Sequence, residues 1–189
     1  MGSGAVQRGA GAGPKEFDAS LSEFSITDQR KAAVDFSSPY FDVTQAVVTV
    51  KSSPAAKVRN IDGLKRLRLG VQVGSTSYTA ATAVHGIIPV AVYNTTGDAK
   101  MALSTGEIDA VVADLATAFA VANQLRDGVI VGQLPTATGD VERFGIVLDK
   151  GSVLTRCVSW AVDDLRGDGT LATLQKRWLA DAGKAPVLA

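Results

Sequence analysis

Three groups of side chains in this sequence have the types and surroundings for ligand chemistry. Gly74-Ser75-Thr76-Ser77 follows the apolar run at residues 69–73 and precedes an Ala-rich segment from Tyr78. That is the pattern of a turn that ends a strand and opens a helix. Such a turn offers backbone N–H groups, hydroxyls and the positive end of a helix dipole, which suits an anion. Asp114 closes the apolar stretch 108–113, where its carboxylate is placed to accept bonds from a cation. Arg30, in Ser25-Ile26-Thr27-Asp28-Gln29-Arg30, carries a guanidinium able to grip a carboxylate by two parallel hydrogen bonds. An anion clamp with an acidic group is what an α-amino acid requires. Each group also has a plain structural reading: the turn as a capped helix start, Asp114 as the cap of the next helix, Arg30 as half of an exposed ion pair. On their own these residues support a small-ligand site on an α/β domain.

Composition narrows the chemistry further. The chain has 189 residues, 46% hydrophobic and 20% charged, which is apolar enough to build a core. Formal net charge is zero, which removes the main attraction to nucleic acid or an anionic membrane. The apolar runs fall far short of the ~20 residues needed to cross a bilayer. Cys157 is the single cysteine, so neither an internal disulfide nor a thiolate metal cluster is expected. It sits among Val153, Leu154, Val158 and Ala161 at helical spacing and reads as a buried structural thiol. His85, the single histidine, has no second imidazole or neighbouring carboxylate and reads as a loop or surface residue. No metal, cofactor or catalytic residue is called for.

The elements that must position these groups follow from periodicity. Residues 1–16 are Gly- and Ala-rich, lack the continuous apolar stretch of a secretory signal, and read as a flexible tail. Thr27 or Asp28 can cap a short helical turn that ends before Pro39. Strands are expected at residues 46–50, 69–73, 87–93, 108–113 and 129–131, and helices from about 78, at 98–105 and at 115–125. That alternation implies βαβ units and a largely parallel sheet. Residues 144–148 read as one strand. Two helices follow, the first at 152–165 burying Leu154, Cys157, Val158, Ala161 and Leu165, the second at 170–180 with Leu171, Leu174 and Trp178 inward.

The same residues carry a resemblance. SITDQRKAAVDFSSPYF (25–41), LGVQVGSTS (69–77), GEIDAVVADLATAF (106–119) and the closing FGIVLDKGSVLTRCVSWAVDDLRGDGTLATLQKRWL are similar, in that order, to motifs of the polar-amino-acid family of ABC substrate-binding proteins. The resemblance covers nearly all of residues 17–180. It implies an α/β, two-lobed type II periplasmic-binding-protein fold with two hinge strands: lobe 1 from residues 17–43 and 144–189, lobe 2 from residues 44–143. It also implies site roles. Arg30 would hold the ligand α-carboxylate with Ser75 and Thr76, and Asp114 would take the α-ammonium. Ser25 and the backbone at Ser22, Glu23 and Phe24 would line the first-lobe wall, with Glu23 facing either the side-chain pocket or solvent. The implied partners are a free amino acid and the permease of an ABC importer, in an extracytoplasmic setting.

The departure from the family pattern is at the start. Members carry a strand–helix–strand–helix portion of lobe 1 ahead of Phe17, and here the Gly-rich tail stands in its place. Lobe 1 is therefore expected to be incomplete, with an unpaired sheet edge and exposed apolar surface. A dimer covering the gap is one expectation, and a non-binding remnant is another. The fold also hosts cyclohexadienyl dehydratases, so an enzyme is the remaining alternative, with Glu23 as the one motif residue suited to be a general acid.

Overall fold

The computed structural model describes residues 17–84, 86, 90–136, 141–179 and 184–188. The expected N-terminal tail and His85 lie outside those residues. The chain divides into two units, residues 1–43 with 141–180 and residues 44–140 with 181–189.

The first unit contains β1 (Ala19–Ser20), α1 (Asp28–Lys31), β2 (Val34–Phe36), β3 (Phe41–Val43), β9 (Glu142–Phe144), β10 (Val147–Asp149), α5 (Thr155–Gly167) and α6 (Thr170–Leu179). Strand β10 lies between β1 and β2, antiparallel to both, and β3 pairs antiparallel with β9. The single strand expected at 144–148 is two strands, broken at Gly145. There the Gly145 N–H leaves the ladder and donates to the Phe24 carbonyl at 3.0 Å. A Cβ on Gly145 would lie 2.9 Å from Ile26 Cδ1 and 3.0 Å from Phe36 Cδ1, so a larger residue would have to push these side chains aside. The core is small: Val34 and Val147, with Phe24 and Phe36 packed against them, while Tyr40 and Phe41 rest on the buried Phe144 ring.

Helix α5 is held to this sheet largely by polar contacts. Ser159 Oγ accepts from the Ser38 N–H at 3.1 Å, Ser38 Oγ donates to Asp163 at 2.9 Å, and Thr155 Oγ1 donates to Asp35 at 3.2 Å. Val162 is its one buried side chain. The expected inward stripe is in fact outward. Leu154, Cys157, Ala161 and Leu165 are exposed, and Val158 is half-buried. On α6, Leu174 and Trp178 are exposed and Leu171 is half-buried. The spacing of these residues is amphipathic as expected, but among the described residues nothing covers the stripe. Cys157 is accordingly an exposed thiol.

The second unit contains β4 (Gln45–Val50), two 3-10 turns (Pro54–Lys57 and Ile61–Leu64), β5 (Leu69–Gln72), α2 (Thr76–Ala83), β6 (Ala91–Tyr93), α3 (Thr96–Ser104), β7 (Ala110–Asp114), α4 (Leu115–Gln124) and β8 (Gly128–Gln133). The sheet order is β6-β5-β7-β4-β8. Strand β5 is parallel to both β6 and β7, whereas β4 is antiparallel to β7 and to β8. Four strands thus run one way and β4 alone is reversed, where a largely parallel sheet was expected. The reason is local to its start. Residue 44 begins this unit and β4 enters directly at Gln45, beside the last residue of β7, with no crossover helix to turn it round.

Both faces of this sheet are buried, as alternation along the strands requires. Val47, Val71, Ala110 and Val112 face one cluster with Leu64, Ala81 and Leu188. Ala46, Val48, Val111 and Ala113 face the other with Leu103, Ile108, Ala118 and Val121. The end of the chain belongs here too, although the sequence keeps residues 144–189 together. The Gln133 N–H donates to Pro186 O at 2.7 Å, the Leu188 N–H donates to Gln133 O at 2.9 Å, and Leu188 is fully buried. The buried leucine and these hydrogen bonds hold the segment together.

Candidate functional site

The eight residues expected to touch ligand fall on both units, five on the first and three on the second. In the first, Thr27 caps α1, its Oγ1 accepting from the Arg30 N–H at 3.2 Å. That cap turns the Arg30 side chain back along the preceding extended segment, where Nη1 donates to Ser25 O at 2.8 Å. Ser25 is buried, and its Oγ donates to Glu142 Oε1 at 2.5 Å. Burial pulls the Arg30 pKa down, and the Glu142 carboxylate pushes back up. A guanidinium has so high an intrinsic pKa that it stays charged at neutral pH. Arg30 is thus a half-buried cation fixed by backbone on one side and a carboxylate nearby, not the exposed ion pair of the plainer reading. Glu142 has no sequence motif to announce it; the antiparallel bridge of Ser25 with Phe144 and the Ile26 N–H donating to Arg143 O bring β9 to Ser25.

The other three residues of this segment differ. Ser22 is exposed, its hydroxyl 3.1 Å from that of Ser20. Glu23 is exposed and takes a left-handed backbone conformation, φ 57°. Phe24 packs into the small core against Val34 and Val147. A cavity of ≈ 410 Å³ in this unit is lined by Tyr40, Asp42, Arg143, Arg166 and Leu171 among others, and none of the expected ligand residues lines it.

In the second unit, the carboxyl ends of β5 and β7 face the starts of α2, α3 and α4. Gly74 adopts φ 68°, the left-handed turn that lets the chain leave β5 and enter α2 directly. Ser75 is the N-cap of α2. Its Oγ accepts from the Tyr78 N–H at 3.2 Å and donates to Gln72 O at 2.8 Å. Asp114 is the N-cap of α4, accepting from the Thr117 N–H at 2.8 Å. The capping readings of both residues therefore hold. Capping also fixes where the Asp114 carboxylate and the first turn of α2 sit. Thr95 caps α3 through a reciprocal pair with Asp98, and Thr96 donates to Gln72 Oε1 at 3.0 Å. Three helix N-termini on one sheet edge create a field that favours negative charge, with Asp114 as the carboxylate among them.

Two glutamines absent from the sequence reading complete this edge. Gln45 is buried, accepts from Ser77 Oγ at 2.7 Å and donates to Thr76 Oγ1 at 3.3 Å. Gln133 accepts from Thr44 Oγ1 at 2.6 Å and donates to Ala185 O at 2.7 Å. Among the described residues no group of three metal-ligating side chains forms, and no helix is long and apolar enough to cross a membrane.

Known proteins are similar to this chain in sequence and fold. The chain is 34% identical to the L-arginine-binding protein of Pseudomonas aeruginosa over 88% of this chain and 66% of that protein. It is 29% identical to the L-cystine-binding protein TcyJ of Escherichia coli, over 90% of this chain and 63% of that protein. Among solved structures, the arginine-, lysine-, histidine-binding protein ArtJ from Geobacillus stearothermophilus is 32% identical, with TM-score 0.70, covering 90% of this chain and 72% of that one. An ancestral arginine-binding protein bound to arginine is 31% identical, with TM-score 0.74, covering 95% of this chain and 78% of that one. The chain spans about two thirds of the length of the curated relatives it matches. The model of the bacterial extracellular solute-binding proteins, family 3, matches residues 7–181, and the chain belongs to that family.

Proposed function

We propose that this protein binds a free α-amino acid outside the cytoplasm and presents it to the permease of an ABC importer. The observation that carries the reading is the edge of the second unit. There the Ser75–Thr76 turn opens α2 and the Asp114 carboxylate ends β7, an anion-seeking group and a cation-seeking group on one sheet edge. Arg30 is the guanidinium for the α-carboxylate, assisted by Ser75 and Thr76, and Asp114 takes the α-ammonium. Ser25 holds Arg30 through its carbonyl and is in turn held by Glu142. No covalent step is needed. The dehydratase alternative needs a general acid kept protonated by burial, and Glu23 is exposed.

The relatives named above bind arginine, lysine, histidine or cystine, and those amino acids with glutamine form the first panel. The test is a thermal-shift scan followed by calorimetric titration. A ligand at a hundred times its dissociation constant stabilises by ~2.7 kcal/mol, a readable shift. Arg30→Ala and Asp114→Asn should each remove that shift. A panel in which no amino acid moves the melting point of the wild-type chain overturns the reading.

A further inference from the structure

We infer that Gln45 is a positioning residue that sets the ligand-facing turn of α2 against Asp114; the inference rests on the amino-acid-binding reading above. Gln45 is the first residue of β4 and is only 7% exposed. Its backbone is in register with Asp114, and the neighbouring Thr44 carbonyl accepts from the Leu115 N–H at 2.8 Å. Its side chain runs the other way, to α2. The amide oxygen accepts from Ser77 Oγ and the amide nitrogen donates to Thr76 Oγ1. One residue is therefore fixed by main chain to the end of β7 and by side chain to the start of α2.

The chemistry explains why an amide serves here. Ser77 donates and Thr76 receives a donor, and a carboxamide offers an acceptor and a donor on two separate atoms of one side chain. A carboxylate in that place would accept from both hydroxyls but offer no donor, and would put a like charge on the residue paired with Asp114. An apolar residue would leave the buried Ser77 hydroxyl without this acceptor. Ser75 spends its own hydroxyl on Gln72 and Tyr78. Gln45 supplies a tether from the sheet that the cap does not.

The test compares the wild-type chain with Gln45→Met, Gln45→Glu and Thr76→Val, using amide hydrogen exchange without ligand and calorimetric titration with L-arginine as the probe. Gln45→Met should speed exchange over residues 78–82 by about tenfold while β4 and β7 amides keep their rates, and weaken arginine binding by about tenfold. Gln45→Glu, which keeps the Ser77 acceptor, should restore most of the protection in α2 but not the affinity. That variant serves also if the methionine chain folds poorly. Thr76→Val, which removes one of the two bonds to Gln45, should weaken arginine and speed α2 exchange by less than Gln45→Met does, and its loss combined with Gln45→Met should be well below the product of the two. Unchanged α2 exchange in Gln45→Met overturns the inference, as does wild-type affinity in that variant. Wild-type chain that binds neither arginine nor any other amino acid of the panel overturns the parent reading instead. The two failures are separable, because the exchange measurement uses no ligand.

Discussion

The two units build their sheets by unequal means. The second buries both faces of five strands, and its clusters include Val47, Leu64, Leu69, Val71 and Val112, all at 1% exposure or less. The first has two buried residues in its cluster and leaves Trp160 55%, Leu174 46% and Trp178 66% exposed. Polar contacts stand where apolar burial would be: Ser38 with Ser159 and Asp163, and Asp35 with Lys150, Gly151 and Thr155. Each such bond contributes only about 0.5–1.5 kcal/mol net, whereas a buried leucine contributes about 1.5–3. The second unit thus has the rigidity to hold a turn and a carboxylate in place. The first holds Arg30 through a short relay, Glu142 to Ser25 to Arg30, more than through its core.

The largest effect should come from truncating the better-packed core. Leu64 is fully buried, so Leu64→Ala should cost about 2–5 kcal/mol in urea unfolding, by lost burial and a residual cavity. Leu174→Ala on α6 should change stability by under about 0.5 kcal/mol. If the two losses were equal, α6 would have a cover that the described residues do not contain, and the contrast between the units would fail.

The division between what is legible in the sequence and what is not follows the same line. Asp114 at a strand end and Ser75-Thr76 at a helix start are legible because caps and hydropathy are local properties of a few adjacent residues. Gln45, Gln133 and Glu142 are not, since they act on partners 31 to 117 residues away. The reversal of β4 is hidden for a similar reason: its direction is decided by where the chain enters the sheet, which periodicity does not encode. For α5 the amphipathic spacing is plain in the sequence. Whether an apolar stripe finds a partner depends on the rest of the lobe, and here Val162 alone is buried.

An intermediate effect is expected from the acidic anchors of the two units. In the second, Arg68 donates to Asp109 from its backbone N–H, Nε and Nη2, and these bonds hold the Asp109 carboxyl below the usual carboxylate range against the opposing pull of burial. In the first, burial pushes Asp35 up, but Lys150, the Gly151 N–H and Thr155 together bring it below the usual range. Both folded-state pKa values are depressed. The stability they contribute is therefore present above the unfolded carboxylate pKa of ~3.9 and is lost as pH falls through the folded value. Asp109→Asn should cost about 1–3 kcal/mol at neutral pH and flatten the fall in urea midpoint below about pH 4. Asp35→Asn should do the same more weakly, because the Asp35 side chain is 21% exposed against 12% for Asp109 and solvent screens it more. The reverse ranking would mean that the first unit depends on its ion pair more than the second does.

The smallest effect on stability, and the sharpest probe of the contrast, is expected at the outer face of α5. Cys157 is exposed there, and Trp160 lies beneath the Arg156 guanidinium at 4.5 Å from the ring centroid. Cys157→Ser should leave the unfolding midpoint unchanged within error, since no buried contact is lost. In the native chain the thiol should react with a maleimide as fast as it does in the urea-unfolded chain. Trp160 and Trp178, the two tryptophans of the chain, should be quenched by acrylamide nearly as readily as free indole in water. Protection of Cys157 that grows with protein concentration would show a second copy seated on α5. Protection at every concentration would show a cover within the chain itself. Either result would remove the inequality between the units at the face where it is greatest.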